Sequence, residues 1–525
     1  MTGTLGLLRF MLRRERFGLP WWLAGATLLI LVQSVQSQNL YGTPEALERL
    51  RRTIGGNTAV IAMSGPPTLL QSIGGEVVFE IFAFASIVVA LMSMFLVGRH
   101  TRADEETGRA ELVRSARVGR HAPLAAALLL AGLADVAAGV LLFAAAAGTD
   151  LPIGGSVLFG AAMTAVGLLF AALTAVAAQV FENTRAVYGA VALTLGASYV
   201  LRGAGDVGSG ALSWASPIGW GQRTFPYAGD RWWPLLFPLA GAVLLVTAAA
   251  ALLRRRDFGA GLVAPRPGRA TAAPALRNAY ALAWRLQRGS LIGWTVGLVL
   301  LGVAYGSMGD TIEQYVRDNP EIAAFLTGGA ADIVDAYLAL SAGLAALIVA
   351  AYGVSSALRI RAEETSGLAE PVLATATSRL AWLAGQLSVP LVGSAVALVG
   401  YGLAVGAAYG LTVSDSGQVL RMAGVALTYL PAVWLIIAVV VLAFGWLPRP
   451  AAALSWIIVG YCAVVTLFAD SFDLPGWVQR ASPFKHTPQV PLADLALTPL
   501  IVLLLLAAAV AGTGYAGLRR RDVGY

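Results

Sequence analysis

The sequence predicts an all-α polytopic membrane protein with about twelve transmembrane helices in two parallel six-helix halves. Of its 525 residues, 58% are hydrophobic and 12% are charged, whereas soluble domains carry about 25% charged residues. Apolar segments long enough to cross a bilayer recur along the whole chain. A polar sequence that follows the second of these segments reappears at the equivalent place in the second half. This repetition divides the predicted bundle into two halves.

The predicted halves are 1–256 and 279–525, and the linker between them, 257–278, contains several prolines, glycines and alanines. In the first half we expect spans at approximately 18–38, 76–98, 122–147, 155–180, 186–201 and 234–252. In the second half we expect them at approximately 289–308, 334–358, 381–410, 419–446, 451–469 and 498–517. An even number of spans places both termini on the same side of the membrane.

The basic residues indicate which side that is. Most of them lie at the N-terminus, in the two repeated hairpins, in the linker and at the C-terminus, so the positive-inside rule predicts that these regions are cytoplasmic. Cations placed between apolar segments suit lipid headgroups better than nucleic acid. The first apolar run, from Leu19, could alternatively belong to a cleaved signal peptide. The second half opens similarly before Leu291, which favours a true first span.

The repeated hairpin sequence supplies candidate functional residues. Arg102–Glu111 corresponds to Arg361–Glu370 at an offset of 259 residues, with Asp104 and Ser366 taken as compensating insertions. Acidic residues followed by glycine favour the start of a short helix, because carboxylates stabilise the N-terminal end of the helix dipole. We therefore predict a short helix across the cytoplasmic end of each half; a solvated loop that only fixes topology is the alternative. The candidates are Glu105, Glu106, Gly108, Glu111 and Arg120, and in the second hairpin Glu363, Glu364, Gly367, Glu370 and Arg379.

Some kinds of site are excluded or disfavoured by the composition. The only lysine, Lys485, follows Pro483 and Phe484 and not a glycine-rich loop, so the chain has no phosphate-binding loop of the Walker type. Three histidines and one cysteine, Cys462, do not favour a Cys/His metal site. We therefore predict a non-enzymatic chain with no catalytic residue, no metal ion and no cofactor of its own.

Polar and aromatic side chains within the predicted spans are candidates for a transport path. Asp135 lies midway along the third span, and an intramembrane carboxylate is a functional candidate, although a structural hydrogen bond is the alternative. Its repeat position is Ser394. Glu80 lies near the outer end of the second span and is expected to reach the interface. The aromatic candidates, which could instead only pack or face lipid, are Phe79, Phe82, Phe84, Tyr188, Tyr337 and Tyr352.

Four longer segments are predicted on the outer side of the membrane. We expect a short helix from Pro44 to Ile54 in the first of them. Tryptophans in the second and fourth segments indicate an aromatic belt at the interface, and a re-entrant or lid role is the alternative. The segments are 39–75, 202–233, 309–333 and 470–497.

The order and duplication of these features resemble the membrane subunit of a type V ATP-binding cassette exporter. That family has six spans, a short coupling helix between the second and third, and an acidic segment around a glycine that ends before Ser/Gly-Arg. The fused two-half form resembles actinobacterial exporters of polyketide antibiotics of the tetronasin type. The matching residues are Glu106 to Glu111 with Gly119-Arg120, Glu364 to Glu370 with Ser378-Arg379, and Ser216-Pro217 before the sixth span, whose second copy departs from the pattern after Pro483.

The resemblance implies the permease subunit of an ATP-driven exporter in the plasma (inner) membrane. Two copies of a separate ATPase, which hold ATP and magnesium, would dock on the two coupling helices. A lipophilic drug or natural product would enter from the cytoplasm or inner leaflet and leave outward, as in multidrug or antibiotic efflux. The basic segments Arg9–Arg16 and Arg285–Arg288 would lie in amphipathic elbow helices, with ordinary positive-inside charge as the alternative.

Two rival functions stay open at this point. A proton-coupled multidrug transporter can also have twelve spans in two halves, but it usually needs a titratable group near the membrane midplane, for which Asp135 is the candidate. A polytopic membrane enzyme would need clustered polar residues at one face, and the sequence suggests no such cluster.

Overall fold

The computed structural model describes residues 2–263, 270–317, 330–469 and 474–522. These residues form helices, turns and loops, with no strand among them, as the predicted fold class requires. The chain divides into two compact units, Met1–Gly268 and Arg269–Tyr525. The division falls within the predicted linker, whose first residues pack on the first unit: Leu262 and Val263 donate backbone hydrogen bonds to the carbonyls of Gln179 and Val180.

The first unit contains eleven of the helices that we number. They are α1 (Thr4–Glu15), α2 (Gly18–Tyr41), α3 (Pro44–Ile54), α4 (Thr58–Met63), α5 (Ile73–Gly98), α6 (Arg109–Arg114), α7 (Ala122–Ala147), α8 (Ile153–Val180), α9 (Thr184–Val207), α10 (Pro217–Gln222) and α11 (Leu236–Arg255). The helix α5 continues through a π-helical turn, Arg99–Ala103, and a last turn, Asp104–Glu106. The predicted helix from Pro44 to Ile54 is confirmed as α3, and Thr43 caps it by accepting a hydrogen bond from the Ala46 backbone N–H.

The second unit repeats this order with differences at its start. Its helices are α12 (Ala279–Arg317), α13 (Ala330–Ala357), α14 (Arg359–Thr365), α15 (Ala369–Leu373), α16 (Arg379–Val413), α17 (Gln418–Thr428), α18 (Leu430–Trp446), α19 (Ala451–Phe468), α20 (Gly476–Arg480) and α21 (Leu497–Arg520). In the first unit the basic helix α1 is separate from α2. In the second unit the corresponding basic segment is part of one continuous helix, α12, so the second elbow predicted by the resemblance is not a separate helix.

Ten helices in the described part of the chain are long and apolar enough to cross a membrane, two fewer than predicted. The two exceptions lie at the predicted fifth and eleventh spans. The helix α9 is long enough, but Arg185, Arg202 and Asp206 reduce its hydropathy. The helix α19 is apolar but short, because its apolar stretch, Ala451–Leu467, is near the lower end of the length that a span needs.

Both hairpins contain the predicted short helix, and a glycine precedes each helix. Gly108 and Gly367 have φ angles of +73° and +72°, a left-handed conformation that side chains with a Cβ rarely adopt. The chain reverses at these glycines, and α6 and α15 follow one or two residues later. The end of each unit that carries its hairpin is called the hairpin end below.

Close glycine contacts in the second unit give a prediction about its stability. A Cβ at Gly445 of α18 would collide with the carbonyl oxygen of Gly514 of α21, and a Cβ at Gly514 would lie 2.6 Å from the Leu442 nitrogen. We expect Gly445→Ala to lower the free energy of unfolding by about 1–3 kcal/mol, because the helix backbones must separate. Thermal unfolding in detergent would measure this. Gly460→Ala is the matched control, since nothing lies within 4 Å of its added Cβ, and equal unfolding temperatures for the two variants would contradict the prediction.

Candidate functional site

One ion pair at the hairpin end of each unit joins the hairpin to the residue after the last helix. In the first unit, Glu105 accepts hydrogen bonds from the Arg256 guanidinium at 2.5 and 2.9 Å. In the second unit, Glu364 accepts them from the Arg521 guanidinium at 2.5 and 2.7 Å. All four side chains are largely buried, with 13, 4, 2 and 16% of their surface exposed in the order given. Each pair therefore closes a loop of more than 150 residues.

These pairs correct the predicted alignment of the two hairpins. Matching the identical letters Glu-Glu-Thr required Asp104 and Ser366 as insertions, but the structure needs none. At a constant offset of 259 residues, Glu105 corresponds to Glu364, and both lie three residues after the first arginine of the repeat. The equivalent side chains then make the equivalent contact, so the gapped alignment was wrong.

The first arginine of each repeat binds the loop that follows the fourth predicted span of its half. Arg102 donates to the Phe181 carbonyl at 2.5 Å, and its side chain is completely buried. Arg361 donates to the Pro448 carbonyl at 2.7 Å. Arg102 also donates to Glu105 at 2.7 Å, which places this carboxylate between two guanidinium groups.

The arginine that ends each repeat caps the last helix of its unit. Arg120 donates to the Arg256 carbonyl, and Arg379 donates to the Arg521 carbonyl, both at 2.8 Å. Carbonyls at a helix C-terminus lack partners within the helix, so a guanidinium there satisfies them and interacts favourably with the dipole. We call each set of contacts a latch: the first latch is Arg102, Glu105, Arg120 and Arg256, and the second latch is Arg361, Glu364, Arg379 and Arg521.

Four of the six glutamates predicted for docking make hydrogen bonds inside the chain. Besides Glu105 and Glu364 of the latches, Glu106 accepts from the backbone N–H and the hydroxyl of Thr184 at 3.0 and 2.5 Å. Glu363 is 7% exposed and accepts from the Gln386 amide at 2.6 Å. Most of the predicted carboxylates therefore have a partner within their own unit, although Glu106 is exposed as well.

The exposed part of each hairpin is its short helix. Glu111 and Glu370 correspond to each other in the repeat, both are exposed, and neither makes a side-chain hydrogen bond or ion pair with another described residue. Large apolar side chains stand beside them: Leu112 is 77% exposed and Leu368 is 61% exposed. We call these four residues the docking patches, Glu111 and Leu112 in the first unit and Leu368 and Glu370 in the second.

A second charged cluster, which the sequence did not indicate, attaches α1 to the first hairpin. Glu15 is 3% exposed and accepts from Arg99 at 2.9 Å, with the His100 Nε2 atom also at 2.9 Å. The His100 hydrogen bond and the nearby Arg99 lower the pKa of Glu15. Arg14 binds Asp104 at 2.9 Å. Arg14 therefore has a specific partner beyond the general positive-inside charge.

Asp135 lies in the interior of the first unit. Ser93 donates to its Oδ1 atom at 2.6 Å, and the side chain has no exposed surface. At the same offset, Tyr352 and Ser394 replace Ser93 and Asp135 in the second half, and Ser394 accepts from Trp434 at 3.2 Å. The Ser93–Asp135 hydrogen bond therefore has no counterpart in the second half, where Tyr352 and Ser394 occupy these two positions. This geometry favours the structural alternative for Asp135.

The aromatic path candidates lie on three helices and differ in exposure. Phe79, Phe82 and Tyr352 are core residues with at most 1% exposure. Phe82 packs edge-to-face on Phe159. The other candidates lie elsewhere: Phe84 is 41% exposed, Tyr188 packs on Phe95 beside Gly98, and Tyr337 donates to the Tyr305 carbonyl at 3.0 Å.

The spans and the two-unit organisation define a multi-pass α-helical membrane protein. The family model described as the C-terminal domain of the multidrug efflux system permease Rv1217c matches residues 276–519. The chain is also 41% identical over 526 residues to the multidrug efflux system permease protein Rv1217c of Mycobacterium tuberculosis (strain ATCC 25618 / H37Rv), and the match covers 99% of this chain and 95% of that protein. The chain therefore belongs to the family of this permease.

Proposed function

We propose that the chain is the permease subunit of an ATP-driven exporter that moves hydrophobic drugs or natural products out of the cell. The name of its relative supports drug efflux, and it describes that protein as part of a system. A separate ATPase would supply the energy, because the sequence has no phosphate-binding loop of its own. The hairpin end and both termini would lie on the cytoplasmic side of the plasma membrane.

The observation that carries this proposal is the duplicated latch with an exposed docking patch beside it. Two copies of the ATPase, each holding ATP and magnesium, would bind the two patches. When the ATPases close, each would displace its hairpin, and the buried ion pair of the latch would transmit that displacement to the last helix of the unit. This coupling needs a rigid connection between hairpin and helix, which a bidentate Arg–carboxylate pair provides.

The substrate in this proposal is a lipophilic molecule that enters from the inner leaflet or the cytoplasm. The exposed Phe84 remains a candidate contact for it, since its ring has no polar atom and lies on a surface of α5 that its own unit leaves open. Phe79, Phe82 and Tyr352 would act only by shaping their cores. No nucleic acid has a part in this function.

Affinity purification of the chain from its native membrane in mild detergent, followed by mass spectrometry, tests the proposal. A near-stoichiometric soluble ATPase is the expected result. A purified chain without such a partner, which still transports when ATP is removed and a proton gradient remains, would overturn it.

The second candidate function, proton-coupled transport, is favoured by one observation. The Oδ2 atom of Asp135 is buried and has no hydrogen-bond partner among the described residues, so it could carry a proton. For the ATP-driven exporter we expect Asp135→Asn to retain transport within about twofold, because the amide oxygen can still accept from Ser93. Transport into inverted vesicles would measure this, and abolished transport with normal folding would favour the proton-coupled carrier.

A further inference from the structure

A cavity of about 340 Å³ lies between α1, the first hairpin and the end of α11. Its walls combine apolar side chains, among them Leu7 and Phe10 of α1, Val113 of the hairpin and Leu253 of α11, with nearly as many polar or charged ones. This volume lies within the range of small-molecule sites, which are typically about 300–1,000 Å³. All of its lining residues belong to the first unit.

One polar atom in the wall of this cavity lacks a partner. His100 is buried, and its Nε2 atom is bound to Glu15, but its Nδ1 atom makes no hydrogen bond within the described part of the chain. Leaving such an atom without a partner costs free energy unless a ligand or water fills the site. This nitrogen is itself closed off from solvent and lies 4.0 Å from the Asp104 carboxylate, so the ring contributes no contact to a molecule in the cavity.

Two arginines at the cavity have no carboxylate of their own. Arg114 stacks over the Phe258 ring at 4.3 Å, and Arg120 donates to the Arg256 carbonyl. Neither forms an ion pair with any described residue, whereas Asp104 and Glu105, which also line the cavity, are neutralised by Arg14 and Arg256. Asp257 is the remaining acidic residue in the lining and is exposed. The lining groups without an ion pair are therefore two guanidinium groups and one carboxylate, and their net positive charge favours an anion.

We propose that this cavity binds an anionic amphiphile, with its apolar body between α1 and the hairpin and its carboxylate or phosphate on Arg114 and Arg120. Charge-assisted hydrogen bonds from guanidinium groups suit both kinds of anion. The helix α1 ends two residues before the first membrane-spanning helix begins, so the cavity lies close to where lipid headgroups are expected.

The site is a property of the first half alone. At the repeat positions of His100 and Arg114 the second half has Arg359 and Leu373, and its basic opening segment is continuous with α12. An occupant of this cavity would touch α1 and the hairpin at once, and would therefore change how freely the first hairpin moves relative to α1.

Photocrosslinking of the purified full-length chain in nanodiscs of neutral phosphatidylcholine tests the proposal. Three diazirine probes are used: a fatty acid, phosphatidylglycerol and phosphatidylcholine. We expect an anionic probe to label α1 or the first hairpin, and Arg114→Gln to reduce that labelling about tenfold by removing a charge-assisted contact. The control is Arg117→Gln, which removes an exposed arginine of the same hairpin outside the cavity. Labelling by the fatty acid alone would identify a free amphiphile, and labelling by phosphatidylglycerol would identify a membrane lipid.

A second pair of variants keeps the test independent of charge. Leu7→Trp should fill the cavity and block labelling, whereas Leu5→Trp, on the 71% exposed position of the same helix, should not. Equal labelling by the phosphatidylcholine probe, or labelling that survives both Arg114→Gln and Leu7→Trp, would overturn the proposal. Because the permease is tested without any ATPase, the outcome is separate from that of the proposed export function.

Discussion

Charge reversal at both Glu111 and Glu370 should release the ATPase from the permease and stop ATP-driven transport. Both carboxylates are exposed and make no side-chain hydrogen bond or ion pair with the described residues, so their replacement by arginine should leave folding unchanged. If they face cations on the partner, reversal turns an attraction into a repulsion in an interface of low dielectric constant. We expect the amount of copurified ATPase to fall more than tenfold, about 1.4 kcal/mol or more of binding free energy.

Quantitative mass spectrometry of the purified complex measures this loss. The control is Glu45→Arg, which reverses an exposed carboxylate on α3, outside both hairpins. The single variants should differ in effect, because the first hairpin has Leu112 and Arg114 where the second has Pro371 and Leu373. Equal losses for the two single variants would contradict unequal docking. If the double variant copurified with an undiminished amount of ATPase, the ATPase would bind somewhere other than the docking patches.

Composition and periodicity were sufficient to predict the fold class. Long apolar runs specify helices independently of tertiary contacts, because a bilayer leaves no other way to satisfy the backbone. The short helix Pro44–Ile54 was also predictable, since its capping residue and its proline are local signals. The polar contacts of α9 were not predictable: buried Arg202 binds Asp206 and the backbone carbonyls of Ala62 and Ser64 at the end of α4. No local sequence pattern predicts that a buried arginine will bind backbone carbonyls so distant in the chain.

The sequence predicted a candidate site on the hairpins, but the contacts of its residues could not be inferred from the sequence. Both glutamates of an acidic pair look alike in sequence, although in the structure Glu105 faces Arg256 and Glu106 faces Thr184. The deciding contacts join residues 78 and 151 positions apart. The repeated Leu-Arg-Arg-Arg-Asp sequences at 253–257 and 518–522 contained the missing information. The hairpin sequence and the Leu-Arg-Arg-Arg-Asp sequence both occur in each half. This joint duplication is the signal that could have predicted a contact between them.

The latch itself should be the most sensitive point for stability in the second unit. Removing one member of a buried ion pair leaves the other charge without a partner, at a cost of about 3–5 kcal/mol. We therefore expect Glu364→Gln and Arg521→Gln each to lower the free energy of unfolding by that amount. Glu370→Gln, in the same hairpin but exposed, is the matched control and should change it by less than about 0.5 kcal/mol.

The single cysteine provides the measurement. Cys462 is 1% exposed in α19 of the same unit, so a fluorogenic thiol reagent reports the temperature at which that unit opens. The exchanged pair Glu364→Arg with Arg521→Glu should recover part of the lost stability, because the opposite charges meet again. Recovery should be incomplete, since Arg521 also lies 4.7 Å over the Phe444 ring and a glutamate makes no cation–π contact there. If the exchanged pair were no more stable than either single variant, the ion pair would not be what joins the hairpin to the last helix. The displacement of the hairpin would then have to reach that helix through the Arg379 cap alone.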